Sequence, residues 1–119
     1  METQTVNIRE RMESVLERIE RAAQSAGRTG SEVRLVVVTK GQPVEVIRAA
    51  AEAGARTLGE NYPEETIPKM NALGSAAGLS WHMIGHLQSR KSGLVAERFD
   101  LLQSLDSLRL AARLNQQLD

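Results

Sequence analysis

Residues 33–39 have the sequence VRLVVVT, in which apolar and mostly β-branched side chains follow one another almost without interruption. A segment this short does not hold as a helix, and β-branched residues favour a strand. Because apolar side chains occupy consecutive positions, both faces of the strand must be covered, as they are in a parallel sheet. The segment therefore predicts a buried parallel strand with Lys40 at its carboxyl end.

Helical and strand patterns alternate along the rest of the chain. An amphipathic helix precedes the strand, with an apolar stripe from Ile8 to Ala26 and Gly27 as its natural stop. The later segments are predicted to be a helix from Pro43 to Gly54, a strand at 56–61, a helix from Pro63, a strand at 79–84, a helix at 87–98, a strand at 99–105 and a last helix capped by Asp106. Parallel strands joined by helices fit either an open doubly wound sheet or a (β/α)₈ barrel.

Composition limits the class of protein. The chain has 119 residues, which fits a single domain over residues 1–119. Fifteen Lys and Arg residues balance fifteen Asp and Glu residues, so charge gives no reason to expect a nucleic acid or an anionic lipid surface as partner. No apolar segment approaches the roughly 18 residues of a membrane span. The absence of cysteine excludes disulfides, thiolate metal sites and a cysteine nucleophile, and it suits the cytoplasmic location that we expect.

In both candidate architectures the chemistry lies at the carboxyl ends of the strands. These ends carry Lys40, Asn61, residues 85–86 and residues 104–106. Lys40 would adjoin an apolar core, where desolvation disfavours the ammonium form, and a neutral amine can condense with an aldehyde to give a Schiff base. The alternative is that Lys40 extends into solvent from the strand end, which is the commoner behaviour of lysine.

Two histidines lie near the third strand. His82 belongs to the strand and His86 to the loop after it, so they cannot form the helical pair of a zinc protease, and the spacing places no acidic third ligand. We therefore expect no metal site. His82 alternates with Trp81 across the strand, and it is either a hydrogen-bonded core residue or a ligand contact.

Several segments along the chain together form a specific pattern. They are LVVVTK at 35–40, Pro43, LGENY at 58–62, WHMIGHLQS at 81–89, Lys91 and SLD at 104–106. The series resembles the pyridoxal-phosphate homeostasis proteins of the YggS/PROSC type over nearly the whole chain, and the segment at 81–89 is its most specific part.

This resemblance implies a fold similar to the N-terminal barrel of alanine racemase. The expected fold class is α/β, with parallel β/α units that form half of a TIM-type (β/α)₈ barrel and an extra helix at the N-terminus. The resemblance also implies that Lys40 carries pyridoxal 5′-phosphate as an internal aldimine. Asn61, His82, Ile84 and Ser104 match strand-end positions that would face this cofactor. The implied role is to bind, buffer or deliver the cofactor, with no established turnover.

An enzyme of the racemase kind is a further alternative. Such chemistry needs a second acid or base across the cofactor, usually from another domain. The only tyrosine, Tyr62, lies in the loop after the second strand. We therefore expect a binding protein rather than an enzyme.

The chain departs from the resemblance in its length and at Pro68. Four strands are half of a barrel, whose phosphate site is usually built after strands 7 and 8. We therefore expect the N-terminal half of a family member, and its open strand edges suggest an alternative role as a self-associating structural or interaction module without the cofactor. Pro68 lies inside the third helical segment, where proline costs about 3 kcal/mol unless the helix starts at that residue.

Overall fold

The structure is a computed structural model, and it describes residues 2–75 and 78–118. In chain order its helices and strands are α1 (Glu2–Ser25), β1 (Val36–Val38), α2 (Val44–Glu52), β2 (Thr57–Glu60), α3 (Pro63–Leu73), β3 (Ser80–Met83), α4 (Ser92–Arg98), β4 (Leu101–Leu102) and α5 (Leu108–Leu118). Short 3₁₀ turns at Gly30–Glu32 and Ser89–Lys91 precede β1 and α4. The predicted alternation of strands and helices is confirmed. None of the described helices combines the length and the apolar character that a membrane span requires.

The four strands form one parallel sheet in the order β1-β2-β3-β4. Each strand pairs with the next one in the sequence after a helical crossover. This order is that of one arc of a (β/α)₈ barrel, whereas a doubly wound sheet reverses its strand order at a switch point. Of the two architectures that the sequence leaves open, the topology therefore supports the barrel type. The residues that share one level across the sheet are Val38, Gly59, His82 and Leu101.

The two faces of the sheet differ in what covers them. Leu58 and Trp81 pair in register and lie in one core cluster with the buried side chains of Met12, Ile47 and Met70. A second cluster contains Met83, Leu87, Val95 and Leu110. Because side chains alternate along a strand, Gly59 and His82 belong to the opposite face, which we call the inner face.

The inner face is partly exposed. Val38 and Leu101 keep 52% and 49% of their accessible surface. Within the residues that the structure describes, β1 and β4 each pair with a single neighbour. In a closed barrel the side chains of the opposite strands fill this space. An open inner face and two open edges are therefore what half of a barrel presents.

Three elements are shorter than the sequence predicts. β1 covers Val36–Val38 rather than 33–39, because β2 begins at Thr57, the partner of Val36. β4 is Leu101–Leu102 rather than 99–105, and these two residues are the ones that pair with β3 among the described residues. The helix expected at 87–98 begins only at Ser92, after the 3₁₀ turn.

The structure corrects the predicted start of α5 and decides between the two possible starts of α3. The cap of α5 is Ser107 rather than Asp106, because the Leu110 N–H donates to the Ser107 Oγ atom at 3.1 Å. α3 begins at Pro63 and continues through Pro68, so the alternative start at Pro68 is excluded. Proline at this interior position removes one helix hydrogen bond, and burial of other α3 residues holds the helix in place.

Candidate functional site

The carboxyl ends of the four strands meet at one edge of the sheet, which we call the strand-end edge. Backbone hydrogen bonds extend the strand pairing there; they join Thr39 N to Gly59 O (3.0 Å), Ile84 N to Glu60 O (2.9 Å) and Gln103 N to Met83 O (2.9 Å). The five residues predicted to face a cofactor all lie at this edge: Lys40 after β1, Asn61 after β2, His82 and Ile84 at the end of β3, and Ser104 after β4. The fold therefore gathers residues that are up to 64 positions apart in the sequence.

Lys40 lies in a tight turn directly after β1. The Gln42 N–H donates to the Thr39 carbonyl oxygen at 3.1 Å, and Gly41 has a φ of 73°, a left-handed conformation that favours glycine. Lys40 is exposed, because the inner face beside the turn is open. The expectation of an amine desolvated by apolar core is therefore not met in this part of the chain, and the solvent-exposed alternative describes its position.

Asn61 packs closely against the loop that follows β3. A Cβ atom added at Gly85 would lie only 3.0 Å from the Cα, Cβ and Cγ atoms of Asn61, so glycine allows the two strand ends to approach. The Asn61 Oδ1 atom is buried and has no hydrogen-bond partner among the described residues. An unsatisfied buried acceptor costs about 1–3 kcal/mol, so a donor group that reached this oxygen would offset that cost.

His82 is a buried residue of the inner face. Its Nδ1 atom lies 2.9 Å from the Nε2 atom of Gln103, the residue that follows β4 by one position. Burial lowers the pKa of His82, the positive charge of Arg34 lowers it further, and Asp100 opposes the two effects. The ring is therefore neutral near pH 7. Gln103 was missed by sequence reasoning, although strand alternation from Leu101 would have placed it on the inner face beside His82.

Ile84 and Ser104 are placed by contacts of different kinds. A Cβ atom added at Gly59 would lie 2.9 Å from the Ile84 Cδ1 atom, so the isoleucine fills the inner face over that glycine. The Ser104 hydroxyl donates to the Gly85 carbonyl oxygen at 2.5 Å and ties the end of β4 to the loop after β3. Ile84 therefore offers an apolar surface, whereas the Ser104 hydroxyl is already engaged.

A buried charge cluster lies on the helical side of the same edge, and sequence reasoning missed it. Glu60, at the end of β2, is 1% exposed. Its two carboxylate oxygens lie 3.1 and 3.0 Å from the Lys69 Nζ atom on α3, and they also accept bonds from the hydroxyls of Thr39 and Thr66. Glu60 and Lys69 lie nine positions apart on different elements, so no local pattern in the sequence pairs them.

An open cavity of about 350 Å³ adjoins the strand-end edge between residues 61–64 and residues 86–91. The Lys91 Nζ atom lies 2.7 Å from a Glu64 carboxylate oxygen at this cavity. The hydrogen bond from Lys91 lowers the pKa of Glu64. Within residues 2–75 and 78–118, no group of three or more His, Asp or Glu side chains is arranged to hold a metal ion.

Curated proteins of several bacteria are similar in sequence to this chain. No protein-family model matches the chain. The pyridoxal phosphate homeostasis protein of Escherichia coli strain K12 is 44% identical over 114 residues, which are 93% of this chain and 48% of that protein. The protein of the same name from Haemophilus influenzae is 40% identical over 113 residues, which are 94% of this chain and 48% of that protein. The chain thus spans about half the length of the curated relatives that it matches.

Solved structures of similar proteins superpose on this chain. A crystal structure of a protein from Bifidobacterium adolescentis, described only as unknown, superposes with a TM-score of 0.89 at 35% identity; the match covers 98% of this chain and 51% of that one. PipY of Synechococcus elongatus PCC7942, solved with PLP bound, superposes with a TM-score of 0.71 at 39% identity and covers 83% of this chain and 47% of that one. The fold is therefore that of half of such a protein.

Proposed function

Since 93% of this chain is similar in sequence to about half the length of a pyridoxal phosphate homeostasis protein, we propose that the chain binds pyridoxal 5′-phosphate through a Schiff base on Lys40 and serves the homeostasis of that cofactor. The observation that carries the proposal is the gathering of Lys40, Asn61 and His82 at the strand-end edge of a barrel arc. In barrels of this type the ligand lies at that edge.

The residues at the edge fit the aldehyde and the ring of the cofactor. When bound, the cofactor supplies an aldehyde carbon with which a primary amine condenses with loss of one water. Lys40 is the exposed amine beside the inner face. The Asn61 Oδ1 atom is a buried acceptor without a partner among the described residues, and Ile84 offers apolar surface to a planar ring.

We assign no donors for the phosphate group among the four described strands. Barrels of this type usually hold a phosphate after strands 7 and 8, whereas the structure describes four strands. We therefore assign to this chain the amine and the ring contacts, and we expect its affinity for the cofactor to be well below that of a full-length relative.

Chemical trapping tests this proposal. The chain is incubated with pyridoxal 5′-phosphate, reduced with borohydride and digested, and the modified peptide is mapped by mass spectrometry. We expect the adduct on Lys40 and its loss in a Lys40→Ala variant. Lys91→Ala is the matched control, because Lys91 lies at the same edge but is engaged by Glu64. A folded sample that carries no adduct on Lys40, or as much on Lys91, contradicts the proposal.

A second candidate function is that of an interaction module in which two copies cover each other's inner faces. The exposed Val38 and Leu101 side chains and the open edges of β1 and β4 favour it. Light scattering over a range of concentrations tests it. We expect a dimer that Val38→Thr weakens and that the same change at exposed Val33, outside the sheet, does not. A folded monomer at every concentration excludes this candidate.

A further inference from the structure

We propose that Glu60 and Lys69 are positioning residues for Lys40. Their buried ion pair holds Thr39, the residue immediately before Lys40, and so fixes the turn from which the lysine projects. This inference rests on the proposed role of Lys40, and it adds two residues that act through the backbone rather than by touching the cofactor. It also gives a reason for the buried charges on the helical side of the sheet.

The ion pair is almost fully enclosed. Glu60 is 1% exposed, and the Lys69 side chain is 13% exposed. The Lys69 Nζ atom lies 3.0 and 3.1 Å from the two Glu60 oxygens and donates its third bond to the Thr39 carbonyl oxygen at 3.2 Å. All three ammonium donors are therefore used, which is the condition under which a charge is tolerated in a protein interior.

Every polar atom of Thr39 takes part in a hydrogen bond. Its N–H donates to the Gly59 carbonyl oxygen at 3.0 Å, and its hydroxyl donates to Glu60. Its carbonyl oxygen accepts from the Lys69 ammonium at 3.2 Å and from the Gln42 N–H at 3.1 Å. The second of these bonds closes the turn that contains Lys40. The ion pair thus acts on the same carbonyl oxygen that closes the turn.

Stability alone does not account for this arrangement. Replacing a buried ion pair with well-packed apolar residues is often neutral or stabilising, so such a pair is weak evidence of a stabilising role. Directed hydrogen bonds do provide a defined geometry, which an apolar contact does not. The turn after Thr39 contains Gly41, whose backbone is permissive, so the residues before Lys40 must supply the constraint.

Two buried threonines provide a matched test. The Thr39 hydroxyl donates to one Glu60 oxygen, whereas the Thr66 hydroxyl lies 3.0 Å from the other Glu60 oxygen and 2.8 Å from the Tyr62 carbonyl oxygen, and its one proton serves one of the two at a time. Thr39→Val removes the hydroxyl bond between Glu60 and the residue before Lys40 and leaves the bond from Lys69 to the Thr39 carbonyl oxygen, whereas Thr66→Val removes a hydroxyl within the helical layer. A merely structural cluster predicts an effect on the turn that is no larger in Thr39→Val than in Thr66→Val. Thr39→Ser restores the hydroxyl and serves as the conservative rescue.

The first readout needs no cofactor. Amide hydrogen exchange of Gln42, measured by NMR, reports whether the turn is closed. We expect Thr39→Val to speed this exchange about tenfold, the effect of one typical hydrogen bond, and Thr66→Val to change it less than about twofold. The Thr39→Ser variant should exchange like the wild type. Equal acceleration in both valine variants, or none in either, overturns the positioning role.

The second readout is the amount of cofactor trapped on Lys40 by borohydride below saturation. We expect a several-fold loss in Thr39→Val and none in Thr66→Val at matched thermal stability. Trapping that is unchanged in Thr39→Val contradicts the inference. Should Thr39→Val fail to fold, the double variant Glu60→Gln with Lys69→Met gives the comparison, because it removes the bond from Lys69 to the Thr39 carbonyl oxygen without leaving a buried charge unpaired. A wild-type chain with no adduct refutes the proposed function, while the exchange data still decide whether the turn is clamped.

Discussion

Gln103, directly after β4, lies beside His82 of β3, with the Gln103 Nε2 atom 2.9 Å from the His82 Nδ1 atom. An amide nitrogen only donates, so Nδ1 is the acceptor and the ring proton is on Nε2. Burial, which is the largest effect, and the charge of Arg34 both lower the pKa of His82. The hydrogen bond and the electrostatics thus agree on a neutral ring at the strand-end edge.

This relationship predicts how stability depends on pH. Since the pKa of His82 is lowered below its ordinary value of 6.5 on folding, the unfolded chain binds more protons between the two values. We expect the free energy of unfolding to fall as the pH drops from about 6.5 toward the lower folded-state pKa, and urea unfolding at a series of pH values measures it. His82→Asn, whose Oδ1 atom can accept the Gln103 bond, should flatten this part of the curve.

The titration of His82 can also be followed directly. His86→Gln leaves His82 as the only histidine, so its ring signals in the NMR spectrum need no further assignment. They should titrate below the ordinary range of histidine. A midpoint at or above 6.5 would mean that the ring is not held neutral.

An added methyl group at Gly59 is predicted to destabilise the fold. A Cβ atom at this position would lie 2.9 Å from Ile84 Cδ1 and 3.0 Å from Val36 Cγ1, closer than packed side chains allow. We expect Gly59→Ala to lower the free energy of unfolding by about 1 kcal/mol, the low end of the cost of overpacking, because the half-buried Ile84 and Val36 side chains can shift toward the open inner face. Chemical denaturation measures the change.

The control for this prediction is Gly93→Ala in α4. The nearest atom to a Cβ there is Gln117 Nε2 at 3.5 Å, an ordinary contact, and alanine favours a helix, so this change should be neutral or stabilising. Ile84→Val removes the Cδ1 atom and should relieve part of the cost of Gly59→Ala in the double variant. Additive effects of the two changes would show that Ile84 does not limit the space at Gly59.

The cap of α5 gives a third prediction. Ser107 accepts the Leu110 N–H at 3.1 Å, so Ser107→Ala should lower the free energy of unfolding by about 1 kcal/mol. Asp106→Ala is the control, because Asp106 is exposed and makes no such bond; we expect a change below about 0.5 kcal/mol. Thermal unfolding compares the two variants, and the reverse order would restore Asp106 as the cap.

The sequence predicted the order of strands and helices because each element is indicated by residues that are close together in the chain. Examples are the apolar run at 33–39, which indicates a strand, and the glycines after α1 and α2, which indicate helix ends. The ends of the strands could not be predicted in the same way. Among the described residues β4 is Leu101–Leu102, the two residues that pair with β3, and where such pairing begins and ends is a property of the whole sheet.

The candidate site likewise contains residues that the sequence could predict and contacts that it could not. Strand ends located Lys40 and Asn61, since parallel strands bring their carboxyl ends to one edge. The contacts of Glu60 could not be derived this way, because its partners Thr39 and Lys69 lie 21 and 9 positions away on different elements. Alternation alone puts Glu60 on the helical face, where an unpaired carboxylate is costly, and only the packing of α3 reveals the cation that pairs with it.

Removal of that cation is predicted to be strongly destabilising. Lys69→Met leaves the Glu60 carboxylate buried without a countercharge, which typically costs about 3–5 kcal/mol of the free energy of unfolding. The exposed pair Arg28 and Glu32, 2.9 Å apart, is the matched control, and Arg28→Met should change it by less than about 1 kcal/mol. The double variant Glu60→Gln with Lys69→Met should recover much of the loss, because the amide oxygen can accept from one threonine hydroxyl and the amide nitrogen can donate to the other, without a buried charge. Urea unfolding of the four chains measures these differences, and equal losses in the Lys69 and Arg28 variants would mean that the carboxylate is solvated after all.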